Sequence, residues 1–211
     1  MKRLIVFGFL ALTIYSCKKD YDKVSQVVDV SAPTISFTGS KFYSIKVNDP
    51  APAIEATAYD SILNEAYPVD YDPTVIDVTT PGLYVVPMTS KNKNGYVGSD
   101  VVYVAVTDIP ESIDLSGTYI RVGNDEPMHV TKIANGLYET DDVGGAPTLE
   151  ITGYFAQLNL TDLDFPEQPT EAGNLSAVNA TVTAVDGADT TISWAVRNGF
   201  FGTAQRTFVK E

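Results

Sequence analysis

The chain has 211 residues, 44% hydrophobic and 10% aromatic, and a formal charge of −13 at neutral pH. So acidic a chain lacks the basic footprint of nucleic-acid binding, and equally any peripheral electrostatic grip on anionic lipid. A single cysteine and a single histidine exclude an intramolecular disulfide and any site built on several imidazoles, a three-His zinc centre among them.

Lys2 and Arg3 open the sequence, Leu4–Tyr15 follow as an apolar run, and Cys17 comes directly after Ser16. The run is too short to cross a bilayer and has the length of a signal-peptide core. Ile14-Tyr15-Ser16-Cys17 resembles the lipobox of bacterial lipoproteins. The resemblance implies that residues 1–16 are a removed signal peptide and that Cys17 carries the lipid. Each buried CH₂ of an acyl chain adds about 0.8 kcal/mol, so several chains on one residue anchor firmly. Residues 17–32 then read as the acylated cysteine and a polar linker. Asp20 and Asp22 resemble the surface-export signals of Bacteroidetes lipoproteins, which implies an outer-membrane location facing the cell exterior.

From Pro33 onward Val, Ile, Thr and Tyr alternate in short runs punctuated by Gly, Pro, Asn and Asp, and no long helix is predicted. A first domain, 33–108, contains seven predicted strands: Thr34–Thr38, Phe42–Val47, Ile54–Tyr59, Tyr67–Tyr71, Val75–Val78, Leu83–Thr89 and Val101–Thr107. Seven short strands at turn spacing predict a sandwich. Alternation in Val101–Val106 puts Val102, Val104 and Val106 on one face and Val101, Tyr103 and Ala105 on the other. Pro87 lacks a ladder donor, so its strand should be an edge or carry a bulge there. Tyr84, just after Pro81-Gly82, stands where sandwiches form a tyrosine corner, and Asn94-Gly95 is a hairpin tip.

Asp108-Ile109-Pro110-Glu111-Ser112 reads as a short connection. A second domain, 113–211, has predicted strands at Gly117–Val122, Met128–Ile133, Leu137–Thr140, Thr148–Gly153, Phe155–Asn159, Ala177–Ala184, Thr190–Val196 and Gly202–Val209. Asn135-Gly136 and Asp186-Gly187-Ala188-Asp189 are predicted turns, and Leu160–Asn174 a long irregular loop. Successive hairpins predict an antiparallel meander, curled into a barrel or packed as a sandwich. The fold class is thus all-β: a sandwich followed by a meander domain.

The order Ala32-Pro33-Thr34-Ile35, Ala58-Tyr59-Asp60, Gly82-Leu83-Tyr84-Val85-Val86, Asn94-Gly95, Val104–Asp108 resembles the Ig-like domains of unknown function in Bacteroidetes surface lipoproteins. Ser116–Tyr119, Thr140–Gly145 and Ile192-Ser193-Trp194 resemble the C-terminal domains that follow them. The resemblance implies a glycan-uptake context at the cell surface, with the Ig-like domain as a spacer.

Chemistry is sparse. His129 reads as a strand histidine, and no Gly-x-Ser-x-Gly elbow is present. Asp141-Asp142 and Asp162-x-Asp164 are the carboxylate pairs a glycoside hydrolase would use, but turn aspartates more often bond backbone. The same four could ligate calcium, yet no EF-hand spacing occurs and no metal or cofactor is expected. Sugars stack on aromatic rings beside placed polar groups, which nominates Trp194, Tyr154, Phe200, Phe201, Asp141 and Asp142 as ligand-binding residues. Against this, Ile192, Trp194 and Val196 share a strand face, which favours burial of Trp194, whereas one of Phe200 and Phe201 should face outward. Gly144-Gly145 either brings backbone close to a ligand or makes a plain turn. The expectation is a non-catalytic, lipid-anchored envelope protein that binds polysaccharide. The alternatives are a protein-partner subunit of an outer-membrane transporter complex and, behind both, a glycoside hydrolase.

Overall fold

The structure, a computed structural model, describes residues 30–183 and 189–211. The leader, Cys17, almost all of the linker and the Asp186-Gly187-Ala188 portion of a predicted turn lie outside the described residues. The described residues are all-β, with fifteen strands and one 3-10 turn.

The first part holds β1 (Thr34–Phe37), β2 (Phe42–Ile45), β3 (Ala56–Asp60), β4 (Glu65–Tyr67), β5 (Gly82–Lys91) and β6 (Val97–Val106). They make two three-stranded sheets, β1-β3-β4 and β2-β6-β5, with β2 parallel to β6 and the other pairs antiparallel. The predicted strand at Val75–Val78 is replaced by a 3-10 turn, Pro73–Val75. The Asp72 carboxylate accepts the Thr74 N–H at 2.9 Å and its hydroxyl at 2.6 Å, and this local capping prevails over the β propensity of the valines. Val102, Val104 and Val106 of β6 and Val86 and Met88 of β5 meet Ile35, Ile54, Ala58 and Ile76 in one core. Pro87 removes no ladder bond. Its strand β5 is an outer strand, and Thr89, two residues on, bonds away from β6 to Asp70 at 2.8 and 2.9 Å. Backbone direction repeats every second residue, so the missing donor at Pro87 also points outward. The Tyr84 hydroxyl donates to the Thr80 carbonyl at 2.8 Å, and Tyr119 repeats the arrangement on Leu115 at 2.7 Å, so each part has its own tyrosine corner.

The second part comprises β7 (Gly117–Arg121), β8 (Pro127–Ala134), β9 (Leu137–Thr140), β10 (Gly153–Gln157), β11 (Leu163–Asp164), β12 (Gln168–Thr170), β13 (Gly173–Thr183), β14 (Thr191–Arg197) and β15 (Gln205–Lys210). All nine lie in one antiparallel sheet in the order β11-β10-β9-β8-β7-β15-β14-β13-β12. The first strand of the meander pairs with the last, and the sheet curls until its two ends approach. There Asp162 bridges Thr181, and the Ala177 N–H donates to the Phe165 carbonyl at 3.0 Å. The predicted irregular loop 160–174 therefore supplies β11 and β12 and draws the seam together. Of the predicted strand Thr148–Gly153 only Gly153 is strand, as the start of β10; residues 148–152 are non-strand and still deliver Ile151 to the core.

That core is aromatic. Trp194 is fully buried, with ring centroids 5.6 Å from Phe155, 5.5 Å from Phe165 and 5.5 Å from Phe208, and its Nε1 donates to the Val143 carbonyl at 2.8 Å. Rings at these separations and tilts add to the stabilisation from area burial alone.

A third apolar cluster joins the two parts. Leu83, Tyr103 and Ala105, on the β5–β6 face turned from the first core, pack with Leu137 and Ala156 of β9 and β10. The Phe42 ring stacks on Tyr103 there at 5.6 Å between centroids, and the Tyr154 ring packs tilted against Tyr103 at 4.5 Å. Hydrogen bonds rim the junction. The Ser44 hydroxyl donates to Asn135 O at 2.5 Å, the Thr107 hydroxyl to Gln157 O at 2.7 Å and the Leu83 N–H to the Asp164 carboxylate at 2.8 Å. Residues Ser31–Glu211 accordingly form one compact unit.

Candidate functional site

Three neighbouring strands, β7, β15 and β14, bring Arg121, Arg206 and Arg197 to one end of the curled sheet. These are the three arginines of the described residues. Register places Arg121 opposite Phe208 and Arg206 opposite Trp194. Alternation along β15 turns Arg206 to the same side as the core residue Phe208, and along β7 turns Arg121 to the side of Tyr119. Both guanidinium groups therefore lie above the aromatic core, at the mouth of the curl.

Two loops cover this mouth. In the first, 141–146, the buried Asp142 carboxylate accepts the backbone N–H groups of Gly144, Gly145 and Ala146 at 3.0, 2.9 and 2.8 Å. Burial pushes this carboxyl up to about 6, against the pull of the three N–H donors. The Gly145 carbonyl accepts from Arg121 Nη1 at 2.7 Å and from Asn124 Nδ2 at 2.9 Å. Both glycines are needed: a Cβ on Gly144 would lie 2.4 Å from the Phe201 ring, and Gly145 has φ +55°. The close approach read from Gly144-Gly145 is thus to Phe201 and Arg121.

The second loop, 198–204, carries the two phenylalanines. Phe200 is 69% exposed at its tip, and Phe201 folds inward against the core. Arg206 lies with its guanidinium carbon 5.0 Å from the Phe201 ring centroid, a cation–π arrangement. It is only 8% exposed, its Nη1 donates to Ala204 O at 3.3 Å, and its Nε is buried with no partner among the described residues. Burial and then the neighbouring Arg121 lower its pKa, while Asp142 opposes them.

The sequence-nominated set is only partly gathered here. Asp142 and Phe201 meet across Gly144, and Phe200 stands on the rim. Trp194 lies beneath as core, so it offers no platform, because alternation turns it inward with Ile192 and Val196. Tyr154 is held at the junction against Phe42 and Tyr103, away from this mouth. Asp141 is exposed and engaged by His129, whose Nδ1 is 2.7 Å from Asp141 Oδ2 and whose N–H donates to Oδ1 at 2.7 Å. Asp164 faces the first part, where burial raises its pKa, and Asp162 is exposed and accepts from Asn159 Nδ2 at 2.8 Å. Among the described residues no group of three or more His, Cys, Asp or Glu side chains converges. The arginines were missed from sequence. Arg121 and Arg197 carried a positional signal, each at the end of a predicted strand next to a turn in a chain otherwise dominated by acids, whereas Arg206 falls inside the predicted strand Gly202–Val209 and carried none.

No family model matches the sequence, and no curated protein matches it. Among solved structures, the chain is similar to the crystal structure of a lipoprotein from Bacteroides thetaiotaomicron, at 18% sequence identity and a TM-score of 0.36, covering 85% of this chain and 100% of that one.

Proposed function

We propose that the chain is a non-catalytic, lipid-anchored protein of the outer membrane, facing outward, whose rigid two-part body binds glycan for an uptake system. The observation that carries this reading is the filled interior of the curled sheet. Trp194, Phe155, Phe165 and Phe208 occupy the space where a substrate chamber would lie, so any ligand is met at the rim and not inside. The carboxylates that hydrolysis would use are already committed: Asp141 to His129, Asp142 to three backbone N–H groups, and Asp164 to Leu83. The leader and Cys17 supply the anchor in this reading.

Affinity electrophoresis of the full chain through gels containing a broad panel of polysaccharides tests it. Retardation by at least one polysaccharide, with no reducing ends released, is the expected result. Release of reducing ends would favour the hydrolase. Absence of retardation throughout would favour the second reading, a protein-partner subunit of a transporter complex. That reading draws on the dispersal of the aromatic platform, since only Phe200 of the nominated rings remains broadly exposed.

A further inference from the structure

We propose that the mouth formed by Arg121, Arg206 and the 198–204 loop binds the carboxylate or sulfate group of an acidic saccharide, with the anion on the arginines and the sugar face on Phe200. The inference rests on the glycan-binding reading above and names the class of glycan.

Charge segregation comes first. In a chain of net charge −13, all three described arginines stand at the ends of three adjacent strands, Arg121 and Arg206 on the side of the core and Arg197 exposed on the outer side, with the loop bearing Phe200 and Phe201 joining two of those strands. Arginine presents a planar fork of donors that matches carboxylate and sulfate oxygens in pairs, which lysine does not.

The second observation is the incomplete pairing of Arg206. Arg206 is 8% exposed as a residue; its guanidinium carries a single 3.3 Å bond, to Ala204 O, and its buried Nε has no acceptor. Leaving a buried charged donor unpaired costs more than leaving a neutral one, so an acceptor is owed at this position. Asp142 does not supply it: its oxygens are occupied by the N–H groups of Gly144, Gly145 and Ala146, and no ion pair joins it to either arginine. Asp125 and Glu126 on the adjacent β7–β8 turn likewise make no ion pair with the arginines.

The third is Phe200. It stands 69% exposed beside this cationic mouth, and a Cβ added to either glycine of its loop, Gly199 or Gly202, would meet nothing within 4 Å. An exposed ring beside a guanidinium pair fits a sugar bearing one acidic group: the ring takes the apolar face and the arginines take the anion.

The test compares full-length chain, in neutral detergent, in gels containing polygalacturonate, chondroitin sulfate or neutral dextran, with phosphatidylglycerol vesicles as a further arm. Retardation by one or both acidic polymers and not by dextran is expected. R206M and R121M should each weaken it about tenfold to hundredfold, the range for a hydrogen bond to a charged group. F200A should weaken it without changing the preference for acid. R206K, which keeps the charge and loses the fork, should fall between wild type and R206M, and it preserves the test if R206M fails to fold. Retardation by dextran equal to that by the acidic polymers, or binding to them unaltered in R206K and R121M, would overturn the inference and leave glycan binding standing. Binding to the vesicles alone would put the anion on a lipid and overturn it as well. Retardation by no polymer would remove the inference together with the reading beneath it.

Discussion

Tyr103→Ala is the sharpest perturbation of the junction between the two parts. Tyr103 is 3% exposed, yet it lies on the face of β6 opposite the first core, so its burial comes from Phe42 on one side and the second part on the other. Its ring stands 5.6 Å from Phe42 and 4.5 Å from Tyr154. Truncating a buried ring to alanine costs about 3–5 kcal/mol. At about 2–4 °C per kcal/mol for a unit of this size, the melting temperature should fall by about 6–20 °C. Tyr103→Phe keeps the ring and loses only the hydroxyl, which makes no hydrogen bond within the described residues, so it should cost under about 1 kcal/mol. Differential scanning calorimetry of wild type and both variants provides the readout. The wild type should melt in one transition with equal calorimetric and van't Hoff enthalpies, and Y103A should lower it or split it in two. Were the parts independent, Tyr103 would be a surface residue, and its truncation would change stability by no more than about 0.5 kcal/mol. Two wild-type transitions, neither moved by Y103A, would refute the reasoning.

Three further outcomes follow from single contacts. Asp60 is held at about 2, below its ordinary 3.8, by the backbone N–H of Leu63 first and then by Ser31, with Asn92 and Ile62 adding to it. A lowered folded pKa gives stability that is present above the unfolded value and lost as pH falls from about 4 through 2. Asp60→Asn should therefore lower the urea midpoint at pH 7 and flatten its acid dependence, and an unchanged acid limb would contradict this. Trp194→Phe loses the bond to Val143 and leaves part of the indole volume empty, for about 1–3 kcal/mol by urea denaturation followed by circular dichroism. Gly98→Ala would place a Cβ 1.8 Å from the Pro33 carbonyl oxygen, so backbone must move, and a loss of about 1–3 kcal/mol is expected by the same method.

Much of the fold was legible because its signals are local. Pro87 announced an outer strand, Tyr84 its corner, Asn94-Gly95 the hairpin tip, and the alternation around Trp194 its burial. The error at Val75–Val78 was also local, since Asp72-Pro73-Thr74 is a capping sequence that outweighs two valines. Long-range pairing was harder. Nothing in Phe42–Ile45 declares a parallel partner in β6, and nothing in Leu163–Asp164 declares an edge closing on β13. Tyr154 was nominated for a ligand as an aromatic ring on which a sugar could stack, yet it is covered by Phe42 and Tyr103 of the first part. The warning was Val101-Tyr103-Ala105, an apolar second face on a strand whose first face already served a core. The arginine mouth as a whole was not legible for a related reason: it exists only once β7, about seventy residues earlier in the chain, lies beside the β14–β15 hairpin.

The anchor bears most directly on the account as a whole. Mass spectrometry of the amino-terminal peptide, released from protein extracted from the producing cell's membranes, should find a chain beginning at Cys17 with fatty acyl chains on that residue. A peptide retaining residues 1–16, or one carrying an unmodified Cys17, would contradict the account.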